Sequence, residues 1–290
     1  MTVLRSLLFA PGNHARRVEK CLSLTTDAVI LDLEDAVANA EKASTRGLIV
    51  EALQRPRKTR GYVRINALAT EWCYGDLVAV VQRGVDGVMV PKVESASDLH
   101  TIEWLMQALE RERGLPPGQI DMIPIVETAL GFSRLREIAC SGTRAKRLSF
   151  GAGDFTLDLG LTWTREETEL LAYRSAFVVE SRAAGIEPPL DTVWIDLPDT
   201  DGFERSTERA KGLGFQGKAC IHPDQVEVVN RVFRPSDAEV AYSRKVVEAF
   251  GEAERQGLAA IRVDGKFIDY PLVDRAQRIL ARARAIELKE

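Results

Sequence analysis

The sequence predicts an α/β fold, a (β/α)8 TIM barrel followed by a C-terminal helix-hairpin-helix extension. Three observations carry this. Eight short β-rich runs alternate with amphipathic helical patterns across residues 1–234, the count such a barrel needs. Most of these runs are too uniformly apolar to leave one face in water, as expected of parallel strands covered on both sides. The chain of 290 residues also exceeds the roughly 250 that one barrel commonly uses, and the surplus carries turn and helix signals of its own. A doubly wound open sheet shares the first two features and is the alternative architecture.

In chain order, strands are expected at Leu4–Ala10, Ala28–Glu34, Tyr62–Asn66, Gly87–Val93, Met122–Glu127, Leu148–Gly151, Val193–Leu197 and Ala219–His222. Helical spacing fills His14–Leu24, Glu41–Leu53, Asp76–Arg83, Ala96–Arg113, Arg134–Cys140, Arg165–Ala184 and Phe203–Leu213. Ser95 precedes Ala-Ser-Asp as a helix start, and Thr164 with Glu167 has capping-box spacing. After the helix at Pro223–Phe233 the barrel count closes near Arg234. Residues 235–290 then read as an arm: a helix at Ser236–Arg255, a hairpin whose Asp264-Gly265 turn accepts positive φ, and a last helix at Pro271–Ile286.

Composition narrows the function. Hydrophobic content of 45% and charged content of 28% describe a globular chain with ample core. A net charge of −4, with no basic tract interleaved with aromatics, argues against nucleic acid. Cys21, Cys73, Cys140 and Cys220 are scattered without metal-ligand spacing and read as free thiols. With no signal-peptide pattern and no 18-residue apolar span, the expectation is a cytoplasmic protein with no membrane partner.

Chemistry should gather where the strands end, because a barrel aims all eight C-terminal ends into one mouth. Those ends carry Asp32, Glu34, Asp35, Arg64, Asn66, Lys92, Glu127, Asp154, Asp196 and His222. Glu127 closes DMIPIVET, and Asp154 follows RLSFGAG, whose Gly151 and Gly153 clear the approach. Two facing carboxylates resist desolvation, so a cation is the natural resident, and an all-oxygen pair suits Mg²⁺. Each could alternatively cap the helix that follows it. Arg64 offers a rigid fork for a carboxylate or enolate, or simply neutralises an acidic mouth. Lys92 reads best as an ion pair within the mouth, and His222 before Pro223 as a turn histidine. Phe9 to Asn13 leads from the first strand to Arg16, Arg17 and Lys20, a weak phosphate-binding signal at a helix start.

FAPGN, LDLEDAV, VRIN, VMVPKVE, PIVET, SFGAGDF, GFQGKACIHP and GKFIDYP occur in an order that resembles the citrate lyase beta subunit-like enzymes. These form part of the HpcH/HpaI aldolase/citrate lyase family, with malyl-CoA and citramalyl-CoA lyases among them. The resemblance covers nearly the whole chain. It implies a Mg²⁺-dependent carbon–carbon lyase joining or separating an acyl-CoA thioester and a 2-oxo acid. Motif by motif it implies Glu127 and Asp154 as metal ligands and Arg64 as a catalytic residue that also binds substrate. Glu127 and Gly153 are the further substrate contacts. Asp269 is implied as an acid/base reaching from the arm into a neighbouring subunit's site. Phe9, Asn13, Arg16 and Lys20 are implied near the coenzyme A. The same resemblance implies a homo-oligomer, a trimer or dimer of trimers, with citrate lyase alpha and gamma subunits as further partners. One departure is visible: relatives often carry Glu where this chain has Gly153. An aldolase acting on free 2-oxo acids, or a binding subunit without turnover, are the competing expectations.

Overall fold

Aliphatic side chains at both parities of a strand demand cover on both faces, and the eight short strands find it by closing on themselves. In the computed structural model, which describes residues 3–289, they are β1 (Ser6–Pro11), β2 (Ala28–Asp32), β3 (Arg60–Arg64), β4 (Gly87–Val90), β5 (Asp121–Val126), β6 (Ser149–Phe150), β7 (Leu190–Asp191) and β8 (Gly217–Cys220). All neighbours pair in parallel and β8 returns to β1, a closed (β/α)8 barrel. Its first helices are α1 (Ala15–Leu22), α2 (Lys42–Gln54), α3 (Cys73–Val80) and α4 (Ala96–Glu112). There follow α5 (Ala129–Ser133), α6 (Leu135–Ala139), α7 (Ala152–Leu159), α8 (Leu171–Ala183), α9 (Thr200–Leu213) and α10 (Asp224–Phe233).

One side-chain parity fills the core: Leu7, Ala28, Ile30, Tyr62, Met89, Ile123, Ile125 and Leu190 pack in one cluster, with Phe9 against it. The other parity, including Leu8, Val29, Leu31, Val63, Val88 and Met122, is buried as well. Each such side chain contributes about 1.5–3 kcal/mol by leaving water, so a one-residue slip of any strand would forfeit much of the core and the register is fixed. At the opposite end from the mouth, the Tyr62 hydroxyl donates to Asp121 Oδ2 (2.8 Å). Buried Arg147 pairs with Asp121 and with Glu187 (Nε–Oε2 2.8 Å), so the charges that start β5 are neutralised before the strand enters the core.

Three local expectations change. The seventh strand is Leu190–Asp191, where Leu190 pairs with Ser149 and Gly217, whereas Val193–Leu197 belongs to a loop that leaves Ile195 and Leu197 exposed. Asp196 is therefore an exposed loop residue and not the end of a strand. The stretch after β6 turns at Gly151 straight into α7, so Asp154 sits in the first turn of a helix. Glu167 does not box Thr164: the Thr164 N–H and hydroxyl both bond Glu169 (2.7 Å each), while Glu167 is buried with φ of +49°. At Ser95 the expected capping box does form, with Asp98.

The chain divides into two compact units, Leu4–Asn230 and a second built from Arg231 onward. The second contains α11 (Asp237–Arg255), β9 (Ala260–Val263), β10 (Lys266–Asp269) and α12 (Tyr270–Glu287). Ser236 caps α11 in a box with Glu239, and Val246, Phe250, Val263, Ile268, Val273 and Ala276 form the unit's core. The β9–β10 turn holds Asp264 at φ +49° and Gly265 at φ +77°. A Cβ at Gly265 would touch nothing within 4 Å, so Gly265→Ala should cost only the conformational penalty of about 1 kcal/mol. Amide exchange of the hairpin should then speed up about fivefold, as read by deuterium uptake. No helix among the described residues is long and apolar enough to cross a membrane.

Candidate active site

Parallel register sets the first pair of charges side by side, for Asp32 at the end of β2 lies opposite Arg64 at the end of β3. The Arg64 guanidinium forks onto Asp32 (Nε–Oδ1 2.7 Å, Nη2–Oδ2 2.6 Å), and its Nη1 lies 3.0 Å from Glu34 Oε2. It also sits over the Phe9 ring, 5.0 Å from the centroid. Asp32 accepts the N–H groups of Glu34 and Ala36 at 3.0 Å each. Burial works against its charge, but Arg64 and these N–H groups outweigh it and hold the carboxyl below its usual range. Lys42 fixes the same loop from behind, its buried ammonium donating to the Leu33 and Glu34 carbonyls (2.9 and 2.6 Å).

Glu127 leaves β5 into a nearly dry position, 4% exposed. Gly151 makes room for it, since a Cβ there would stand 2.2 Å from Glu127 Oε2. Its Oε1 accepts the Lys92 backbone N–H at 2.9 Å. Burial first, then the charges of Glu34 and Asp154, push the Glu127 carboxyl up to about 8, against the pull of Arg64 and that N–H. Lys92 takes up a left-handed backbone, φ +52°, a conformation that costs a non-glycine residue about 1–3 kcal/mol and that clusters at working sites. Its ammonium bridges Glu34 (2.8 Å) and Asp154 (3.4 Å). Burial opposes the ammonium's charge, and these carboxylates with Asp35 more than restore it. Asp154, in the first turn of α7, faces the positive end of the helix.

Asp32, Arg64, Glu127 and Asp154 line one cavity of about 400 Å³. Phe9, Arg64, Glu127, Gly153 and Asp154 all line it, so five of the expected site residues meet at one mouth. Of the basic run on α1, Arg17 lines the wall, whereas Arg16 and Lys20 are exposed and stand outside it. Asn13 donates to Glu41 (2.7 Å), with its Oδ1 buried and unpartnered. Asn66 bonds Asp76 and the Leu33 carbonyl, a structural role, and His222 sits in an exposed turn beside Asp224 (3.5 Å). Asp269 belongs to the second unit and precedes α12 without forming a capping hydrogen bond. Lys42 had no sequence signal that separated it from ordinary helix-surface cations, whereas Arg17 belonged to the weak phosphate-binding signal at the start of α1.

The HpcH/HpaI aldolase/citrate lyase model matches residues 5–223. The chain belongs to the HpcH/HpaI aldolase/citrate lyase family. It is an enzyme of that family's lyase class, built on its barrel. It is similar to the citrate lyase subunit beta of Escherichia coli (strain K12), 38% identical over 288 residues that cover 99% of this chain and 95% of that protein. A (3S)-malyl-CoA thioesterase of Cereibacter sphaeroides is 34% identical over 284 residues, 97% of this chain and 95% of that one. Among solved structures, CitE from Mycobacterium tuberculosis in complex with magnesium, acetoacetate and coenzyme A superposes with a TM-score of 0.77 at 30% identity. That match covers 97% of this chain and 98% of that one.

Proposed function

We propose that this lyase cleaves or forms a 3-hydroxyacyl-CoA-type thioester, of the citryl-, malyl- or citramalyl-CoA kind, giving an acyl-CoA and a 2-oxo acid. The observation that carries it is the meeting of Glu127, Asp154 and Arg64 on one cavity, with Glu127 forced up to about 8 by burial and by like charge. Glu127, Asp154, Glu34 and Asp35 outnumber Arg64 and Lys92 there, so the oxygen pair Glu127–Asp154 fits a hard divalent cation that keeps open positions for substrate. Mg²⁺ held by Glu127 and Asp154 supplies Lewis-acid polarisation of the 2-oxo or 2-hydroxy oxygen, worth several kcal/mol.

The chain's own residues carry the remainder. In the cleavage direction the 3-hydroxyl gives its proton to solvent, the carbon–carbon bond breaks, and its electron pair becomes the enolate of the acyl thioester. Arg64, held by Asp32 and so unable to swing away, stabilises the carboxylate and the developing oxygen charge. Asp269 delivers the proton that turns the enolate carbon into an acyl-CoA methyl or methylene, and removes it in synthesis. Among the described residues its carboxylate has no hydrogen-bond or ion-pair partner, which suits a group waiting for substrate. Phe9, Asn13, Arg16 and Lys20, with Arg17, form the proposed coenzyme A approach.

We assign Asp269 to a neighbouring copy's mouth, in a trimer or dimer of trimers; the exposed Phe267 and Tyr270 beside it offer the apolar contact such an exchange requires. The beta-subunit relatives support alpha and gamma subunits as further partners, and the four free cysteines suit the cytoplasm. The test is a screen of acyl-CoA thioesters against glyoxylate, pyruvate and oxaloacetate with Mg²⁺. Free thiol is followed alongside the 2-oxo acid, because a malyl-CoA thioesterase stands among the relatives. Arg64→Met and Asp269→Asn chains, each inactive alone, should regain activity on co-refolding. Two folded variants that never complement would remove the exchange of arms.

A further inference from the structure

Next to the proposed metal pair, Gly153 leaves the wall of the cavity without a side chain. A Cβ built on Gly153 meets no atom nearer than Trp163 Cζ3, at 4.0 Å. Trp163 in turn lines a second cavity of about 170 Å³ with Trp194, Ile195, Thr164, Arg165 and Asp196. Two segments bring the linings of the two cavities near each other. Gly153 lines the first and a Cβ on it would stand 4.0 Å from the Trp163 ring of the second, and Thr192-Val193 of the first lead directly into Trp194-Ile195 of the second.

The indoles are fixed in place. Trp163 Nε1 points to Glu167 (3.4 Å), and Trp194 Nε1 donates to the Asp196 carbonyl (3.0 Å). Both donors face protein, so what the second cavity offers a ligand is ring surface. Its one cation is spoken for: Arg165 forks onto Asp199 with Nε–Oδ2 of 2.5 Å and Nη2–Oδ1 of 2.6 Å. The exposed Asp196 carboxylate adds a negative charge to the wall. Among the described residues that line it, an anionic substituent would meet Arg165 already paired with Asp199 and the like charge of Asp196, whereas an uncharged apolar one would lose only water.

We infer that the Trp163–Trp194 cavity, reached past Gly153, takes the side chain of the 2-oxo acid, and that this chain accepts 2-oxo acids with a bulky uncharged branched or aromatic group. The inference rests on the proposed reading that Glu127 and Asp154 hold the 2-oxo acid end of the substrate, since Gly153 immediately precedes Asp154. It narrows the proposed substrates by disfavouring oxaloacetate, whose side chain ends in a carboxylate, and with it the citryl-CoA kind.

The experiment compares pyruvate, 4-methyl-2-oxopentanoate, phenylpyruvate and oxaloacetate, with Mg²⁺ and an acyl-CoA, in wild-type, Gly153→Ala and Gly153→Val proteins. In the wild type, 4-methyl-2-oxopentanoate should exceed oxaloacetate, its charged counterpart in shape, in kcat/KM. The phenylpyruvate-to-pyruvate ratio of kcat/KM should fall stepwise from Gly to Ala to Val, by on the order of 10-fold or more at Val, the scale of one methyl-sized obstruction in an apolar pocket. Calorimetric binding of the same acids with Mg²⁺ runs in parallel. If no acid forms a carbon–carbon bond, the lyase reading for these substrates falls, and the ratio of dissociation constants still decides the subsite. A ratio that Ala and Val leave unchanged, in variants that melt as cooperatively as the wild type, overturns the inference. So does preference for oxaloacetate over 4-methyl-2-oxopentanoate.

Discussion

Glu127→Gln should abolish turnover while making the metal-free protein more stable at alkaline pH. The first half follows from losing one of two oxygen anchors: forfeiting about 4 kcal/mol of Lewis-acid assistance lowers kcat/KM by about 10³-fold. The second half follows from the pKa. Burial and the charges of Glu34 and Asp154 raise the folded carboxyl to about 8, against about 4.3 when free. A raised acid contributes its full stability below the unfolded value and loses it as pH climbs toward the folded one. Wild type should therefore lose stability between pH 5 and 8.5, and Gln, neutral throughout, should not share that loss. At about 1.4 kcal/mol per unit, even half the shift leaves roughly 2.5 kcal/mol. For a barrel of this size that opens a gap of about 5–10 °C in Tm at pH 8.5. Added Mg²⁺ should lift the wild-type melt at that pH and leave the variant where it is. Parallel pH profiles for the two proteins would show that Glu127 is not under the strain described.

That strain was partly legible before any coordinates. Glu127 and Arg64 end strands whose apolar character is unbroken, and a parallel barrel leaves only one place for such ends to go. Asp154 was legible as a mouth residue but not as part of a helix, because β6 is just two residues long and Gly151 turns the chain at once. The seventh strand escaped for a related reason. Val193-Trp194-Ile195 has the stronger apolar signal, yet the pairing is made by Leu190-Asp191, immediately after Pro188-Pro189, and the louder run is spent on a loop and an apolar cavity. Buried charges were the least visible. Lys42, Arg174 and Lys218 sit in patterns that read as wet helix faces or ordinary polar strand positions, and only the fold brings their partners into reach. Asp269 has no local pattern that distinguishes it from a helix cap. It was marked by motif resemblance alone, and in the structure it precedes α12 without a capping hydrogen bond.

Asp191→Ala should be the most damaging single change outside the cavity. Asp191 is fully buried between Arg174 (Nε–Oδ1 2.8 Å) and Lys218 (Nζ–Oδ2 2.6 Å). Burial opposes its charge, and the two cations more than compensate, holding the carboxyl below its ordinary range. Glu167 offsets part of the surplus positive charge, accepting from Arg174 (2.9 Å) and from the Ser206 hydroxyl (2.7 Å). With Asp191 gone, Lys218 keeps, among the described residues, only Ser206 (3.2 Å) as a side-chain partner, and it is itself fully buried. Stranding a buried charge costs about 3–5 kcal/mol, a fall of about 10 °C in Tm. Asp191→Asn, which keeps a hydrogen-bonding oxygen, should lie between. The damage should also reach the mouth, because Thr192 follows Asp191 and its hydroxyl accepts the Ala152 N–H (2.9 Å) at the start of α7, the helix that carries Asp154. A chain that melts early at β7 should thus need more Mg²⁺ for half-maximal rate well below its own Tm. A stability loss under 1 kcal/mol would mean that Lys218 and Arg174 find other partners, and the network would then be ornament to the barrel and not its support.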